Sequence, residues 1–296
     1  MDERKAALSV LAGGALWGLI SIFVRALTAV GFSSLEISCI RMLTGTAGMF
    51  LVLFFRDRSK LKISLRDIWM FIGTGIVSVV LFNVCYFSTI QRSEASITVV
   101  LLYTSPIFVM LMSALIFKER ITVKKIIALS MTLLGCVLVA GLLGGRVRLT
   151  ADVLALGIGS GFFYAAYSIF GQFALKKYDT MTVTFYTFLM GAIASVPISR
   201  PFRLFRMIEQ QPKSILWCIG IGVFCTILPY LLYTAGLKHM EAGRAAILAT
   251  IEPLVGALLG ILAYHESAGM LKVIGMLLIF SAVILLNLNV KQSNQM

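Results

Sequence analysis

The sequence predicts an all-α polytopic membrane protein whose ten transmembrane helices form two inverted five-helix repeats. Three observations predict this fold class: the composition, the length of the apolar blocks, and a set of landmark residues that recurs along the chain. Of the 296 residues, 59% are hydrophobic and 13% are charged. A soluble domain is nearer half apolar and a quarter charged, so the composition indicates a membrane protein.

The apolar residues form long blocks that are separated by short basic or Gly/Pro-containing breaks. A helix of about 20 apolar residues crosses a bilayer core. On this basis the predicted spans are residues 6–29, 34–55, 67–90, 95–117, 124–142, 152–175, 181–198, 214–237, 242–264 and 270–290. The N-terminal segment MDERKAALSV lacks a small-residue cleavage site, so the first block is predicted to be a span and not a signal peptide.

The formal net charge of +13 raises the question of a polyanionic partner. The Lys and Arg residues of the chain lie in the breaks between spans and not on one soluble face. Basic residues at these positions are expected from membrane topology alone. This distribution argues against nucleic-acid binding. Most of them fall on the side of the N-terminus, which predicts cytoplasmic termini in a cell (inner or plasma) membrane. The loop RPFRLFR (200–206) is the exception.

Landmark residues recur at a constant offset of 147 positions. The matched pairs are Gly14/Gly161, Trp17/Tyr164, Tyr86/Tyr233, Glu94/Glu241, Pro106/Pro253, Glu119/Glu266 and Lys125/Lys272. Shared Pro and Glu residues in one register are much less expected by chance than shared Leu or Ile. The offset therefore predicts two repeats, residues 1–144 (spans 1–5) and 145–296 (spans 6–10).

An odd number of spans in each repeat has a geometric consequence. The second repeat must enter the membrane from the opposite side, so that the two repeats are inverted relative to each other. Inverted repeats are typical of secondary transporters, because exchanging the conformations of the two halves exchanges inward and outward access. The predicted function is accordingly transport.

Several motifs resemble those of the EamA-type transporters of the drug/metabolite transporter superfamily. They are GALWG (14–18), an Arg early in the second span (Arg41), SPIFVMLMSALIFKE (105–119) and EPLVGALLGILAYHE (252–266). The resemblance implies a ten-helix fold of two inverted repeats and transport, commonly export, of small metabolites such as amino acids or of amphipathic or cationic compounds. It also implies a central cavity lined by spans 3, 4, 8 and 9, with help from spans 1 and 6.

Glu252 is the first candidate site residue, because it lies near the middle of the ninth span. A charge at this depth costs about 3 kcal/mol on insertion scales, so the side chain should face the interior of the bundle. It could form a static pair with Arg41, contact a cationic substrate, or take part in proton coupling, since burial favours a protonated carboxyl group. Arg41 could instead extend toward the membrane interface, or it could bind a substrate carboxylate.

The second group of candidates is aromatic and polar. Five aromatic residues are predicted to line a pocket, because Tyr and Trp combine flat apolar surface with one hydrogen-bonding group. They are Trp17, Tyr86, Tyr103, Tyr164 and Tyr233. Packing in the core is the alternative for these rings. Asn83 in the third span could contact a substrate, or it could form a hydrogen bond between helices.

Pro106 and Pro253 occupy matched positions in spans 4 and 9. A proline lacks the backbone N–H, so the carbonyls of Leu102 and Ala249 lose their helical partners. We expect those carbonyls to favour a polar cavity beside each break, and we expect the kinks to serve as hinges. Simple packing kinks are the alternative.

Four glutamates flank the predicted spans. Glu119 and Glu266 end their spans beside Lys118 and His265, and are expected to be solvated charges at the membrane rim. Glu94 and Glu241 begin their spans, where a carboxylate is favoured by the helix dipole. Their predicted role is helix capping.

The sequence lacks the motifs that would indicate metal-dependent, ATP-driven or hydrolytic function. Five isolated cysteines and two separate histidines give no metal-ligand pair, and the sequence contains no Walker loop, HExxH motif or Ser-His-Asp set. No cofactor is predicted. The expected partners are a small-molecule substrate and the lipid bilayer, with coupling to protons as an option, and the chain is expected to be a monomer or a homodimer. The alternatives are a membrane-embedded enzyme acting on lipid-linked substrates and a membrane partner protein without transport activity.

Overall fold

A computed structural model describes residues 1–142 and 149–287, and within these residues the chain is helical and contains no strand. The α-helices are α1 (Glu3–Gly18), α2 (Ile20–Val30), α3 (Ser34–Arg56), α4 (Ile68–Ile72), α5 (Phe82–Ile90), α6 (Ala95–Leu102), α7 (Ser105–Phe117), α8 (Val123–Val139), α9 (Ala151–Leu175), α10 (Thr180–Ser195), α11 (Pro201–Gln210), α12 (Ser214–Gly222), α13 (Leu228–Leu237), α14 (Ala242–Ala249), α15 (Ile251–Tyr264) and α16 (Met270–Asn287). Two 3₁₀ turns, Arg58–Leu61 and Leu65–Asp67, precede α4, and two π-helical segments, Gly73–Leu81 and Val223–Ile227, lead into α5 and α13.

Eight helical segments in the described part of the chain are long and apolar enough to cross a membrane. They are Glu3–Val30, Ser34–Arg56, Leu65–Ile90, Ala95–Phe117, Ala151–Leu175, Ser214–Leu237, Ala242–Tyr264 and Met270–Asn287. The other two predicted spans are also helical, but α8 has 17 residues and α10 has 16. The all-α membrane class is thus confirmed, whereas the count of ten spans stays a prediction.

Several predicted features lie outside the described residues. They include the boundary between the two predicted repeats at residues 144 and 145 and the end of the last predicted span at 288–290. They also include three of the basic residues that contribute to the predicted orientation, Arg146, Arg148 and Lys291. The division of the chain into two domains therefore stays a prediction.

Backbone irregularities recur at the predicted 147-residue offset. The fourth span is broken at Tyr103 and the ninth at Thr250, and both residues have ψ of 7°. Each span then ends on a residue with left-handed backbone, Lys118 at φ 57° and His265 at φ 55°. The π-helical segments of spans 3 and 8 also overlap at this offset. These matches support the interpretation that the chain contains two related halves.

Glycines allow each half to pack tightly against the other. A Cβ atom on Gly14 of α1 would lie 2.8 Å from the carbonyl oxygen of Ala249, and a Cβ on Gly161 of α9 would lie 3.2 Å from that of Leu102. These are the two carbonyls that Pro253 and Pro106 were expected to free. A glycine backbone packs against each carbonyl at a distance that a side chain would prevent. Both residues nevertheless line internal spaces of the bundle, Leu102 a central cavity and Ala249 a smaller chamber, so the expected polar cavity beside each break stays a prediction.

The loop RPFRLFR is a helix and not a loop. Helix α11 begins with Pro201, whose fixed φ suits a first helical turn. Arg203 from this helix forms an ion pair with Glu36, which is buried at the start of α3, and donates to the Gly31 carbonyl at 3.0 Å. This arginine neutralises a buried carboxylate, which gives a structural reason for its exception to the charge bias.

Candidate functional site

A central cavity of about 290 Å³ lies among helices from both halves of the chain. Its lining includes Trp17, Ser38, Arg41, Asn83, Tyr86, Tyr164, Tyr230 and Glu252. We call the side of the bundle that carries Glu3 the N-terminal face and the side that carries Val30 the opposite face. Because Ser34 and Ile90, at helix ends on the opposite face, also line the cavity, it extends from Glu252 toward that face.

A smaller chamber of about 30 Å³ adjoins the cavity toward the N-terminal face. Its lining includes Tyr103, Pro106, Val109, Tyr167, Ser168, Tyr233 and Ala246, and it shares Trp17, Tyr164 and Glu252 with the cavity. Most of the side chains in this wall are buried. A separate cavity of about 470 Å³ lies at the N-terminal face, at the ends of α7, α9 and α13, and shares no lining residue with the chamber, so we interpret the passage as closed between them.

The break at Thr250 positions Glu252. Helix α15 begins at Ile251, so Glu252 lies in the first turn of a new helix and not in the middle of a continuous one. A carboxylate at a helix N-terminus is favoured by the helix dipole, which offsets part of the cost of placing a charge at this depth. The side chain faces the cavity and the chamber together.

Arg41 is held by the π-helical segment Val223–Ile227. Its Nε donates to the hydroxyl oxygen of Thr226 at 3.1 Å, and its Nη2 donates to the carbonyl oxygen of Cys225 at 3.2 Å. A π-helical turn disrupts the regular i→i−4 ladder, which leaves carbonyls available to other donors. The ion pairs of the described residues include none between Arg41 and Glu252, so the static pair is not observed. Arg41 lines the cavity and does not extend to the membrane interface, and its binding of a substrate carboxylate stays a prediction.

The aromatic candidates form contacts between the halves. Trp17 packs edge-on against Tyr230 at 5.3 Å between ring centroids and lies 5.5 Å from Tyr233. On the other side of the cavity, Phe82 contacts both Tyr164 at 5.3 Å and Tyr86 at 5.5 Å.

Two of the polar candidates are also engaged within the bundle. Asn83 donates from Nδ2 to the Ser38 hydroxyl at 2.7 Å and so joins α5 to α3 at the cavity wall. The Tyr233 hydroxyl shares a hydrogen bond of 2.7 Å with Ser168, and Tyr103 is buried at the end of α6. These bonds fix the shape of the wall that each side chain presents.

Several residues of this wall were not predicted from the sequence. Tyr230 lines both spaces and contacts Trp17, Tyr167 and Phe188. Two signals could have found it: it stands 147 positions after Asn83, and it lies one helical turn before Tyr233. Thr226 carried no comparable signal, because its role depends on the π-helical turn.

The two prolines differ in their position relative to the cavity. Pro106 lines the smaller chamber, whereas Pro253 is not among its lining residues or those of the central cavity. In both cases the helix is interrupted before the proline, at Tyr103–Thr104 and at Thr250. Tyr103 and Thr250 both line the smaller chamber, so the break lies at this chamber in both halves.

Polar contacts close the N-terminal face. The carboxylate of Glu119 accepts hydrogen bonds from the backbone N–H groups of Ala242 at 2.8 Å and Gly243 at 3.3 Å. Lys125 forms an ion pair with Glu241 at 2.6 Å. The expectation that Glu119 is a solvated rim charge was wrong, because the start of α14 lies close enough for Glu119 to cap it.

The described residues contain no group of three or more His, Cys, Asp or Glu side chains that could hold a metal ion. The five cysteines are free, and four of them are buried. The arrangement thus offers one carboxylate and one guanidinium in an aromatic cavity, which suits binding of a small polar or amphipathic solute.

Comparisons with known proteins identify the class. The chain matches the EamA-like transporter family over residues 4–141 and 152–288. It is 32% identical to an "Uncharacterized transporter" of Archaeoglobus fulgidus, with 95% of this chain and 96% of the relative covered. It is 27% identical to the "Uncharacterized inner membrane transporter YicL" of Salmonella typhimurium, with 97% of each chain covered.

The fold agrees with these matches. A solved crystal structure superposes with a TM-score of 0.77 at 16% identity, covering 95% of this chain and 96% of that one. Its identity is low, so it bears on the fold alone. The helical membrane architecture, the cavity and the sequence matches lead to one conclusion: the chain is a multi-pass membrane protein that belongs to the EamA-like transporter family.

Proposed function

We propose that the protein is a secondary transporter that exports a small organic solute through the central cavity by alternating access. The observation that carries this proposal is the position of Glu252 and Arg41 in one cavity that extends to the opposite face and is closed toward the N-terminal face. A cavity that holds charged groups deep in a membrane bundle suits a solute pathway. A conformation closed on one side suits one state of an alternating cycle.

The proposed solute is an amino acid or another small amphipathic or cationic compound. A carboxylate can bind an ammonium group, a guanidinium can bind a carboxylate in bidentate geometry, and aromatic rings attract cations and apolar groups. The proposed substrate-binding residues are Glu252, Arg41, Trp17, Asn83, Tyr86, Tyr103, Tyr164 and Tyr233. Pro106 and Pro253 are the proposed hinge residues of two inverted five-helix repeats.

The proposed driving force is a gradient of protons or of the solute itself. Glu252 is the proposed coupling group, because it is an ionisable residue at the junction of the cavity and the chamber. In the proposed orientation both termini are cytoplasmic, the N-terminal face is the inner face, and the opposite face is the outer one. The structure would then be open outward.

Flux measurements in proteoliposomes test the proposal. A thermal-shift screen of small solutes first identifies a ligand, because a compound that binds the folded state raises its apparent stability. Uptake of that ligand is then measured with and without an imposed pH gradient. Carrier-mediated flux above that of empty liposomes is the expected result. A ligand that binds but is never translocated would contradict the transport proposal.

A further inference from the structure

The turn that ends the fourth span and the turn that ends the ninth have the same backbone. The N–H of Glu119 donates to the Ser113 carbonyl at 3.3 Å, and the N–H of Glu266 donates to the Gly260 carbonyl at 3.0 Å. Each glutamate follows a residue with left-handed backbone. Both carboxylates are thus presented by equivalent turns at opposite faces of the bundle.

The contacts of the two carboxylates are different. Glu119 caps α14 across the interface between the halves, through the N–H groups of Ala242 and Gly243. Glu266 instead accepts from Arg25 at 3.0 Å and from Lys272 at 3.0 Å.

The helix that Glu266 would cap by analogy is α6, which begins at Ala95. The N-cap residues Glu94 of α6 and Glu241 of α14 both make no side-chain capping hydrogen bond within the described residues, so the capping role predicted for them was wrong. The difference is that α14 is capped by Glu119, whereas no such contact of Glu266 with α6 is formed in the described part of the chain.

The basic partners show the same asymmetry. Lys125 reaches Glu241 at the start of α14, with 2.6 Å between Nζ and the carboxylate. Its counterpart Lys272 pairs with Glu266 of its own half, and no ion pair joins it to Glu94 in the described part of the chain. At the closed face, both contacts with the start of α14 are formed, one from Glu119 and one from Lys125. At the face toward which the cavity extends, the equivalent contacts of Glu266 and Lys272 with the start of α6 are not formed in the described part of the chain.

We propose that Glu119 and Glu266 are alternating gate residues. In the state seen here, Glu119 holds the N-terminal face closed by capping α14. In the opposite state, Glu266 leaves Arg25 and Lys272 and accepts from the N–H groups of Ala95 and Ser96, which closes the opposite face while Glu119 releases α14. This inference rests on the alternating access of the proposed function, and it adds the groups that close each gate.

Charge and exposure favour an exchange of this kind. A carboxylate that caps a helix gains charge-assisted hydrogen bonds and a favourable interaction with the dipole. The pair of Glu266 with Arg25 is exposed, since the two side chains are 41% and 54% accessible, whereas Lys272 is 19% accessible. An exposed ion pair contributes little, so the contact with Arg25 can be given up when the cap forms, and Lys272 can turn to Glu94 as Lys125 does to Glu241.

Two reporter cysteines can read the two gates separately. Ser21 lies in the cavity wall, and Ser168, its counterpart at the 147-residue offset, lies in the wall of the closed chamber. In a chain whose five native cysteines are replaced by alanine, Ser21→Cys and Ser168→Cys are labelled in detergent with a polar maleimide. Ser21→Cys is expected to react faster, because only its side is open.

The gate variants should shift these rates in opposite directions. Glu119→Gln removes the charge of the formed cap, so labelling at Ser168→Cys should rise by roughly fivefold and labelling at Ser21→Cys should fall. Glu266→Gln removes the cap of the opposite state, so labelling at Ser21→Cys should be retained or rise and labelling at Ser168→Cys should fall. Glu119→Ala and Glu266→Ala repeat the comparison without any acceptor, and Glu209→Gln on α11 is the surface control.

The inference is overturned if the two variants change the rates in the same direction, or if both alanine variants fold and leave the rates unchanged. Size-exclusion chromatography identifies a variant that does not fold. The labelling rates of the other variant at the same position, glutamine or alanine, are then used in its place. The labelling needs no substrate. A chain that shows opposite shifts but no flux in proteoliposomes would contradict the proposed function and retain the gate.

Discussion

Arg41 and Thr226 are joined by a hydrogen bond of 3.1 Å between the guanidinium Nε and the threonine hydroxyl. This bond connects α3 of the first half to the π-helical segment of the second. The second partner of Arg41, the Cys225 carbonyl, is also neutral. The guanidinium is therefore oriented by its partners but not neutralised by them, and its charge is available to a solute in the cavity.

Replacing Arg41 by Lys should weaken binding of solutes that carry a carboxylate by roughly tenfold, because an ammonium group cannot keep both protein partners and also offer bidentate geometry. Isothermal titration of a ligand from the thermal-shift screen would measure the change. Thr226→Val should weaken binding in the same direction but less. Arg206→Lys on the surface of α11 is the control, and equal affinity in Arg41→Lys would exclude this residue from the binding site.

Replacing Glu252 by Gln should abolish the flux that depends on a pH gradient, because the amide cannot exchange a proton. The substitution keeps the size of the side chain, so the protein should remain inserted and folded. Glu209→Gln makes the same chemical change at an exposed position and should transport normally. Full pH-coupled flux in Glu252→Gln would remove this carboxyl group from the coupling mechanism.

Replacing Pro106 or Pro253 by Ala should slow turnover more than it weakens binding. Alanine restores a backbone N–H, which favours a continuous helix through the break and opposes a hinge motion. The maximal flux and the ligand affinity of each variant would be compared with those of Pro212→Ala, which lies in an exposed turn. A loss of affinity as large as the loss of turnover would argue for packing and against hinges.

Replacing Arg203 by Ala should lower the stability of the fold by about 1–3 kcal/mol, because it leaves the Glu36 carboxylate with less compensation for its burial. The side chain of Arg203 is 46% exposed, which limits the effect to less than that of a fully buried pair. Thermal unfolding in detergent would show the loss as a lower Tm. Arg206→Ala, from the same helix, should leave the Tm unchanged, and equal Tm values for both variants would contradict the role of the pair.

The ion pairs of Glu266 give a pH-dependent contribution to stability. Hydrogen bonds from Lys272 and Arg25 lower the pKa of this carboxyl group below its ordinary value of 4.5. A lowered pKa in the folded state means that the stabilisation is present above the ordinary value and is lost as the pH falls through the folded one.

The measurement compares the Tm of the unmodified chain with that of Glu266→Gln across pH. The difference between them should be constant from neutral pH down to the ordinary pKa and should shrink only at more acidic pH. Glu209→Gln should give no such change. A difference that disappeared near neutral pH would contradict this assignment of the shift.

The sequence allowed much of the helical framework to be predicted. Every predicted span forms helix over most of its described part, since long apolar blocks in a bilayer must satisfy their backbone groups internally. Spans 4 and 9 are broken near Tyr103 and Thr250, and the helices of spans 5 and 7 end at Val139 and Ser195, before the predicted ends. The offset of 147 residues also predicted where irregularities would recur, at Pro106 and Pro253. A buried charge such as Glu252 could be recognised because few residues of that kind occur inside apolar blocks.

What the tertiary structure decided is how distant groups meet. The partners of Arg41 are about 185 positions away in the chain, and the cap that Glu119 provides spans 123 positions. Neither follows from the periodicity of one segment, because periodicity reports which face of a helix is apolar and not which helix lies against it. Local sequence thus determined the helices and their breaks, whereas packing between the halves determined the cavity, its polar partners and the face that is closed.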